Sequence, residues 1–398
     1  MKVKNIVNDF LINSSPMHKM RRLALVECIN SIVNGNSLTV TSMGRGIGSK
    51  TSEKHSIKRS DRLCSNNHLH KERTQIYGGI CKLWIPVSAR PVILVDWSDL
   101  DDCKNAFLIS ATLACDGRSI TLYLEVHPLN KKEKPAIHKA FLATLASLLP
   151  VHCRPIIVAD AGFKVPWHQM VLALGWDHVG RVRKPNFYKI EGEDKDWQSV
   201  NVLFKQATST AQCFRGQLTR SNNFDTTFVL YKGADKGRHK LTAEGKRCRS
   251  THSQKQATGG SEPWLLTSSL PVTSKLAKRV VNIYSSRMQI EEGYRDMKSK
   301  LYGLGFNESE SYKIKRIEIL MLVAVLATMV LLLIGAAAEQ AGFARHFQAN
   351  TIKKRRVISL QYLGLRMIAN HHLTLEEEHF VKAYMYMKYM IAQADNGF

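Results

Sequence analysis

Four residues between positions 284 and 298 have types and a spacing that could support phosphodiester chemistry. In YSSRMQIEEGYRDMK, Arg287 and Glu291 lie four positions apart and Lys298 follows seven positions later, so all three share one face of a predicted helix. Tyr284 lies one turn earlier. A carboxylate can hold a divalent metal ion, and flanking Arg and Lys side chains can hold phosphate oxygens. A solvated ladder of ion pairs on a charged helix gives the same pattern, so this segment alone leaves both interpretations open.

Two aspartates stand at the ends of predicted buried strands. The run PVILVDW carries Asp96, and the run RPIIVAD ends in Asp160. Between them the pattern predicts strands over KNAFLISATLA and RSITLYLEVH, joined by an Asp-Gly turn, and then a helix over residues 134–149. The predicted order is β-β-β-α-β, with Asp96 on the first strand and Asp160 at the end of the fourth.

The segment GRGIGSKT at residues 44–51 offers a different use for Asp96. A phosphate-binding P-loop requires Gly, four residues, Gly, Lys and then Ser or Thr, and here Ser49 occupies the position of the second Gly. Asp96 would then be the magnesium-holding Asp of a nucleotide hydrolase. This alternative is disfavoured because it gives no role to Asp160 or to the helix at 284–298.

The charge balance points to a polyanionic partner. The 398 residues include 57 Lys plus Arg and 33 Asp plus Glu, which gives a net charge of +24. Because 44% of the residues are hydrophobic, the chain can bury a large core and is not merely a basic tail. Nucleic acid is therefore the leading partner.

Cysteine usage indicates a reducing compartment. The eight cysteines stand singly without a C-x-x-C pair, and no signal-peptide pattern opens the chain. These features predict a cytosolic protein without structural zinc or disulfide bonds.

One apolar segment has the length of a membrane span. Residues 319–338 form 20 residues without a charge, preceded by the basic KIKR. A helix buried on all sides of a large domain gives the same signal, and no second span accompanies this one. We predict a buried helix and no membrane partner.

The remaining segments outline the organisation. Residues 1–85 are predicted to be mainly helical, with helices around RRLALVECINSIV and SEKHSIKRSDRLCS. Residues 190–262 contain the β-like pieces SVNVLF and TTFVLYK and a basic run at 232–255. This run is either a solvated disordered loop or a segment that follows a nucleic-acid strand through phosphate contacts. A strand over EPWLLTSSLP and one long helix at about 274–300 follow.

Three of these segments carry a resemblance to a known family. VILVDWSD, IIVADAGFK and IYSSRMQIEEGYRDMKS resemble the catalytic segments of bacterial insertion-sequence DDE transposases, a cut-and-paste family. The helix motif of that family is Tyr, two residues, Arg, three residues, Glu, six residues and Lys, and this chain matches it at every position. The resemblance extends to IKRSDRLCSNNHLHKER and HFQANT, and it is closest to the transposase of the tetracycline-resistance composite transposon.

The resemblance implies an α/β fold with a ribonuclease-H-like catalytic core. The implied regions are a helical DNA-end-binding region at 1–85, a first core part at 86–189, a β-rich insertion at 190–262, a second core part at 263–345 and a helical C-terminal region at 346–398. In this scheme GRGIGSKT becomes a turn between two short helices of a helix-turn-helix-like element.

The resemblance also implies the site residues. Asp96, Asp160 and Glu291 would hold two Mg²⁺ ions, for which Mn²⁺ can substitute, and would carry the catalysis. The residues expected to contact DNA are Tyr284, Arg287, Lys298, Trp264, Lys164, Arg45, Lys50, Lys54, Lys58 and Arg59. A solvated surface is an equally good account of the five N-terminal cations, and simple packing is the alternative for Trp264, which matches a Trp that receives a flipped base in the related kanamycin-resistance transposase family.

Other acidic residues near the motifs are predicted to lie outside the metal site. Asp99, Asp101 and Asp102 follow Asp96 but lie past the strand end, which favours a loop or capping role. Glu292 points about 100° around the helix from Glu291.

The implied function is a DNA transposase of the bacterial cytoplasm, associated with the nucleoid. It would bind the terminal inverted repeats of an insertion sequence, nick them, form hairpins and transfer the ends into target DNA, acting as a dimer on double-stranded DNA. The alternative is a catalytically inactive derivative or repressor that keeps the basic surface without cutting.

Overall fold

The structure, a computed structural model, describes residues 3–87, 89–101, 105–194, 196–234, 250, 262–349, 351–352 and 354–396. Most of the basic run at 232–255 lies outside the described residues, as does Asp102. The chain divides into two compact units. The first comprises Met1–Pro155 and Ser286–Ala394, and the second comprises Ile156–Ser285 and Asp395–Phe398. The division into five regions stays a prediction.

The described residues form a mixed α/β protein. Its helices are α1 (Val3–Ser14), α2 (Lys19–Val33), α3 (Val40–Arg45), α4 (Glu53–Cys64), α5 (Asn67–Trp84), α6 (Pro135–Leu148), α7 (Val165–Ala173), α8 (Val200–Gln206), α9 (Leu276–Ser285), α10 (Met288–Lys298), α11 (Ile314–Gln340), α12 (Leu360–Ala369) and α13 (Glu377–Gln393). Its strands are β1 (Val92–Asp99), β2 (Ala106–Leu113), β3 (Ile120–Pro128), β4 (Ile156–Ala159), β5 (Asp177–Val182), β6 (Phe187–Ile190), β7 (Gln198–Ser199), β8 (Gln212–Leu218), β9 (Phe224–Tyr231) and β10 (Trp264–Ser268).

The GRGIGSKT segment links two helices, as predicted. It begins within α3 and ends just before α4. A P-loop follows a β-strand, whereas the described residues before β1 form helices and their connections, so the P-loop alternative is wrong. Gly44 serves helix packing instead, because a Cβ at that position would lie 2.5 Å from the Cα of Ile57.

The strands of the first unit form a three-stranded antiparallel meander. β2 pairs with both β1 and β3, and the register places Asp96 opposite Ser110. Every residue of β2 is buried. Together with α6 and β4 farther along the chain, these elements confirm the predicted β-β-β-α-β order.

The long apolar segment is a buried helix, as predicted. In α11, 89% of the most apolar 18-residue window is buried within the protein. Close approach of α12 depends on two glycines, since a Cβ at Gly335 would lie 1.9 Å from the carbonyl oxygen of Leu360 and one at Gly364 would lie 2.2 Å from that of Leu331. Near the start of α11, the half-buried ring of His70 and the Arg73 guanidinium contact the Glu318 carboxylate at 2.5 and 3.0 Å.

The strands of the second unit pair mostly in antiparallel fashion. β4 and β5 pair in parallel, and β5, β10, β9, β8, β6 and β7 follow as antiparallel neighbours. The strands predicted over TTFVLYK and EPWLLTSSLP are confirmed. The strand predicted over SVNVLF is wrong: Ser199 caps α8 by accepting from the backbone N–H of Asn201, and Val200 and Leu203 are buried three positions apart at helical spacing.

The single helix predicted at about 274–300 is also wrong. The chain forms α9 and α10, interrupted at Ser286 and Arg287. The Ser285 hydroxyl donates to the carbonyl of Asn282 at 2.6 Å, and serine side chains that bond to the preceding turn weaken a helix. Tyr284 therefore lies in the last turn of one helix, whereas Glu291 lies in the first turn of the next.

The contact between α11 and α12 yields a stability prediction. We expect Gly335→Ala to lower the free energy of unfolding of the first unit by about 1–3 kcal/mol, because the new methyl group must displace backbone of α12. Differential scanning calorimetry would record this as a lower melting temperature. Gly293→Ala is the matched control, since its Cβ would meet nothing within 4 Å in helix α10. Equal melting temperatures for the two variants would contradict the packing account.

Candidate active site

Asp96 is the fifth of the eight residues of β1 and the first that is not fully buried. The residues before it, Ile93–Val95, are fully buried, and its own side chain is 13% exposed. One carboxylate oxygen, Oδ1, accepts the backbone N–H of Trp97 at 2.8 Å, and Oδ2 faces the guanidinium of Arg287. The core strand thus presents one partly shielded carboxylate where the strand leaves the core.

The neighbouring Trp97 anchors the strand end. Its indole N–H donates to Nε2 of His138 in α6 at 3.1 Å. Burial lowers the pKa of His138 to about 4, so the ring is neutral near pH 7 and can accept this hydrogen bond.

Glu291 lies in the first turn of α10 and is the more exposed of the two acids. Its side chain is 43% exposed. Negative charge is favoured in the first turn because the unpaired backbone N–H groups there carry partial positive charge.

Arg287 joins the two acids. Its Nη1 lies 3.2 Å from Oδ2 of Asp96, and its Nη2 lies 2.5 Å from Oε1 of Glu291. Only 12% of its side chain is exposed. Because a planar guanidinium offers two donors in fixed directions, one cation offsets the repulsion between two carboxylates on different elements. Arg287, Glu291 and Asp96 therefore meet, as the spacing and the resemblance predict.

Lys298 stands at the other end of α10. Its ammonium group donates to Oγ of Ser98 at 3.0 Å, and Ser98 follows Asp96 on the same face of β1. These residues border an open cleft of about 690 Å³. The cleft is lined by Asp96, Trp97, Ser98, Glu291, Tyr294, Arg295, Lys298, Ser299 and Asn307.

Tyr294 and Ser98 are site residues that the sequence analysis missed. The Tyr294 hydroxyl donates to the backbone carbonyl of Asp96 at 2.8 Å and lies 2.6 Å from Oγ of Ser110. Burial, with the neighbouring Asp96 carboxylate, holds the pKa of this hydroxyl well above its ordinary value of 10, so it remains a donor. Residue spacing could have identified both: Tyr294 follows Glu291 by three positions on a helix, and Ser98 follows Asp96 by two positions on a strand.

Asp160 and Lys164 belong to the second unit. Asp160 directly follows β4, is half-buried, and accepts the backbone N–H of Gly162 at 2.8 Å. Lys164 is exposed and immediately precedes α7. Asp160 thus stands at the strand end where the sequence predicts it, and its place in a metal site stays a prediction.

Trp264 and Tyr284 also belong to the second unit, and they contact each other. Trp264 is the half-buried first residue of β10, and the Tyr284 ring meets it edge-on with centroids 4.9 Å apart. Tyr231, opposite Trp264 on β9, is 6.0 Å away. Tyr284 is only 2% exposed, which leaves it little surface for DNA; its DNA contact stays a prediction.

The five N-terminal cations lie on or beside α3 and α4. Arg45, Lys50, Lys54 and Lys58 are exposed and Arg59 is half-buried, whereas the opposite face of α4 buries Ser56 and Leu63. The Arg45 guanidinium pairs with the Glu53 carboxylate at 2.8 Å. The surface is available to a polyanion, and DNA contact by these cations stays a prediction.

The acids predicted to lie outside the metal site have other contacts. The prediction that Asp99 lies past the strand end is wrong, since Asp99 is the last residue of β1 and lies opposite Phe107 on β2. The Asp101 carboxylate accepts the backbone N–H groups of Asn105 and Ala106, which confirms a capping role in the β1–β2 connection. The Glu292 carboxylate pairs with Arg295 and Arg118 rather than with Arg287. Glu291, and not Glu292, thus contacts Arg287, and the role of Glu291 as a metal ligand stays a prediction.

The donor set of the cleft fits a divalent cation in its chemistry. Asp96 and Glu291 supply hard carboxylate oxygens, which Mg²⁺ and Mn²⁺ prefer, and both line the same open cleft. Within the described ranges, no cluster of three or more His, Cys, Asp or Glu side chains forms that could hold a metal ion. Asp96 and Glu291 are thus the two carboxylates that line the cleft of the first unit.

Comparison with known families identifies the class of protein. Residues 88–329 match the family model of the transposase DDE domain. This match covers more than half of the chain, so the protein belongs to the DDE transposase domain family. The comparison with curated proteins gave no match. Family membership makes the protein a transposase, with DNA as its partner and with divalent metal ions in the chemistry of its family.

Arg287, which contacts both acids, and Lys298, which lines the cleft, yield a prediction about DNA cleavage. We expect Arg287→Ala and Lys298→Ala each to lower the rate of DNA-end cleavage about 10²-fold, since each removes a donor for a charged phosphate group. The requirement for a divalent metal should persist, because neither side chain is a metal ligand. Cleavage would be measured across a salt series, in which both variants should lose activity at lower salt than wild type.

Lys382→Ala is the matched control. Lys382 is 56% exposed and pairs with Glu378 four positions earlier on α13, which is the solvated ladder that the 284–298 segment could have been. If Arg287→Ala and Lys298→Ala cleave at the wild-type rate throughout the salt series, these two residues form solvated ion pairs with no role in cleavage, like Lys382.

Proposed function

We propose that this protein is an insertion-sequence DNA transposase that cuts the ends of its element by metal-dependent phosphoryl transfer. One observation carries the proposal: Asp96 and Glu291, which match two catalytic positions of the family motif, share a cleft in which Arg287 contacts both. Family membership supports the same reaction class.

The proposed metal ligands are Asp96, Glu291 and Asp160. The first two line the cleft, and Asp160 is added because its segment resembles the second catalytic segment and because it stands at a strand end. We propose a ribonuclease-H-like core as the scaffold, in keeping with the order of β1, β2, β3, α6 and β4. When bound, two magnesium or manganese ions activate the attacking oxygen and stabilise the leaving one.

The remaining residues of the cleft would handle the phosphate backbone. Arg287 and Lys298 would neutralise and orient the scissile phosphate, with Ser98 directing the Lys298 ammonium group into the cleft. Lys164 and the N-terminal cations on α3 and α4 would hold flanking phosphates of the terminal repeats. Base contacts are not required for this part of the proposal.

The proposed reaction has four transfers. Water attacks a phosphorus atom at the element end, and the 3′-hydroxyl of the element leaves. That hydroxyl attacks the phosphodiester of the opposite strand, closing a hairpin and releasing the flanking DNA. Water reopens the hairpin, and the regenerated 3′-hydroxyl finally attacks target DNA. We infer that a dimer holds both ends during these steps and that the protein works at the nucleoid of a bacterial cytoplasm.

A non-cutting DNA-binding derivative or repressor is the second candidate. It would use the same basic surface, and the net charge of +24 favours either function. The carboxylates and cations in the cleft favour the enzyme, because a repressor has no need for them. Nicking of end-containing DNA separates the two.

The carboxylates yield the main functional prediction. We expect Asp96→Ala, Asp160→Ala and Glu291→Ala each to abolish strand cleavage and to leave the affinity for end DNA nearly unchanged. Loss of one ligand disables the metal site, whereas DNA affinity rests on many phosphate contacts. Cleavage would be followed on labelled end DNA, and binding by gel shift.

Glu292→Ala serves as the control for this set. Glu292 is adjacent to Glu291 but pairs with Arg118 and Arg295, so cleavage should persist. Substantial nicking by any of the three ligand variants would remove that residue from the site.

Trp264 yields a second prediction about the reaction course. We propose that its half-buried ring receives a base flipped out of the hairpin, with Tyr284 supporting the ring edge-on. A stacking platform is worth roughly 1–3 kcal/mol per base, so Trp264→Ala should still nick end DNA but accumulate nicks with little hairpin. Trp264→Phe should recover part of the hairpin. Denaturing gels of a reaction time course would separate the two species.

Two results would instead assign Trp264 to packing. One is a folded Trp264→Ala variant with the normal ratio of hairpins to nicks. The other is a joint fall of nicking and hairpin formation together with a lowered melting temperature.

A further inference from the structure

Besides the contacts of Arg287 and Lys298, the Tyr294 hydroxyl connects the strand and the helix that carry the two cleft carboxylates. The Tyr294 hydroxyl donates to the backbone carbonyl of Asp96 at 2.8 Å. It also lies 2.6 Å from Oγ of Ser110, which faces Asp96 across the β1–β2 pair. The hydroxyl therefore contacts both strands at the position of Asp96.

On the helix side, Tyr294 shares its face with Glu291. The two residues are three positions apart in α10, and helix geometry holds such pairs in a fixed relation. Any shift of α10 along or away from β1 must stretch the hydrogen bond between Tyr294 and the Asp96 carbonyl. The distance between the Asp96 and Glu291 carboxylates is thus tied to this bond.

We propose that Tyr294 is a positioning residue for divalent metal binding, with its hydroxyl setting the spacing between the Asp96 and Glu291 carboxylates. The inference rests on the proposed function, since it assigns these carboxylates to a metal. Tyr294 is not one of the Tyr-Arg-Glu-Lys positions, and its hydroxyl bonds the Asp96 backbone rather than either carboxylate.

The hydroxyl and the ring of Tyr294 make separable contributions. A phenylalanine at this position keeps the ring and removes only the hydrogen bonds to Asp96 and Ser110. Metal affinity is sensitive to small ligand displacements, and loss of a residue that orients the ligands lowers affinity about 10–100-fold. A role in packing alone would leave metal affinity unchanged in the phenylalanine variant.

The test is direct binding of Mn²⁺, measured by calorimetry and by the EPR signal of free Mn²⁺. Tyr294→Phe should bind Mn²⁺ about tenfold more weakly than wild type, with end-DNA affinity unchanged. Its cleavage should need about tenfold more Mn²⁺ for half-maximal rate yet approach the wild-type rate at saturation. Ser110→Ala, which keeps the tyrosine and removes its second partner, should lose affinity about threefold and decides the matter if Tyr294→Phe does not fold.

Tyr384→Phe is the matched control. The Tyr384 hydroxyl also donates to a backbone carbonyl within the first unit, that of Leu83 at 2.9 Å, but it does not line the cleft. An equal loss of Mn²⁺ affinity in Tyr384→Phe and Tyr294→Phe would overturn the inference, as would wild-type affinity in Tyr294→Phe.

A failure of the proposed function looks different in the same experiment. In that case, the Asp96→Ala variant and the wild-type protein would bind Mn²⁺ equally, or neither would bind it. A third outcome refutes only the role of Tyr294 and retains the proposed function. In that outcome the wild-type protein binds Mn²⁺, Asp96→Ala abolishes the binding and Tyr294→Phe leaves it intact.

Discussion

The arrangement of the cleft depends on one guanidinium group placed between two carboxylates. Asp96 comes from a buried strand and Glu291 from the first turn of a helix, and both would carry negative charge at one open surface. Arg287 offsets their repulsion through Nη1 and Nη2, and its low exposure limits screening by solvent. Without that cation, the two elements would bring like charges together at a cost in stability.

The position of Arg287 follows from the interruption between α9 and α10. A continuous helix would place Arg287 within a regular turn, with its side chain committed to one helical face. Arg287 instead directly precedes α10 and lies outside α9, although its backbone angles, φ −54° and ψ −29°, are helical. The same interruption puts Glu291 in a first turn, where the helix dipole favours a carboxylate.

The rest of the first unit holds β1 and α10 in place. β1 is buried through Val95, Trp97 bonds to His138 on α6, and Tyr294 bonds the Asp96 carbonyl. α11 supplies a buried apolar core, and its contact with α12 requires the absence of side chains at Gly335 and Gly364. A rigid framework of this kind suits a site that must hold charged ligands at fixed spacing.

Much of this organisation is predictable from sequence because the signals are local. The strands around Asp96, the helix at 134–149 and the buried apolar helix all follow from hydrophobic runs, and Glu291 is distinguished from Glu292 by helical spacing. The interruption after Ser285 and the helical state of Val200–Gln206 depend on serine side-chain hydrogen bonds, which periodicity does not register. The role of Tyr294 requires knowing that Ser110 faces Asp96, and strand register is a non-local property.

The central claim is that the cleft containing Asp96, Arg287 and Glu291 cuts DNA with the help of a divalent metal. The most direct measurement incubates the purified wild-type protein with DNA carrying the sequences that flank its own gene, with Mg²⁺ or with EDTA, and maps every new strand end. The account predicts nicks at the element boundary that leave 3′-hydroxyl ends and that appear only with Mg²⁺. Specific binding to that DNA with no cleavage under either condition, or cleavage that persists in EDTA, would contradict it.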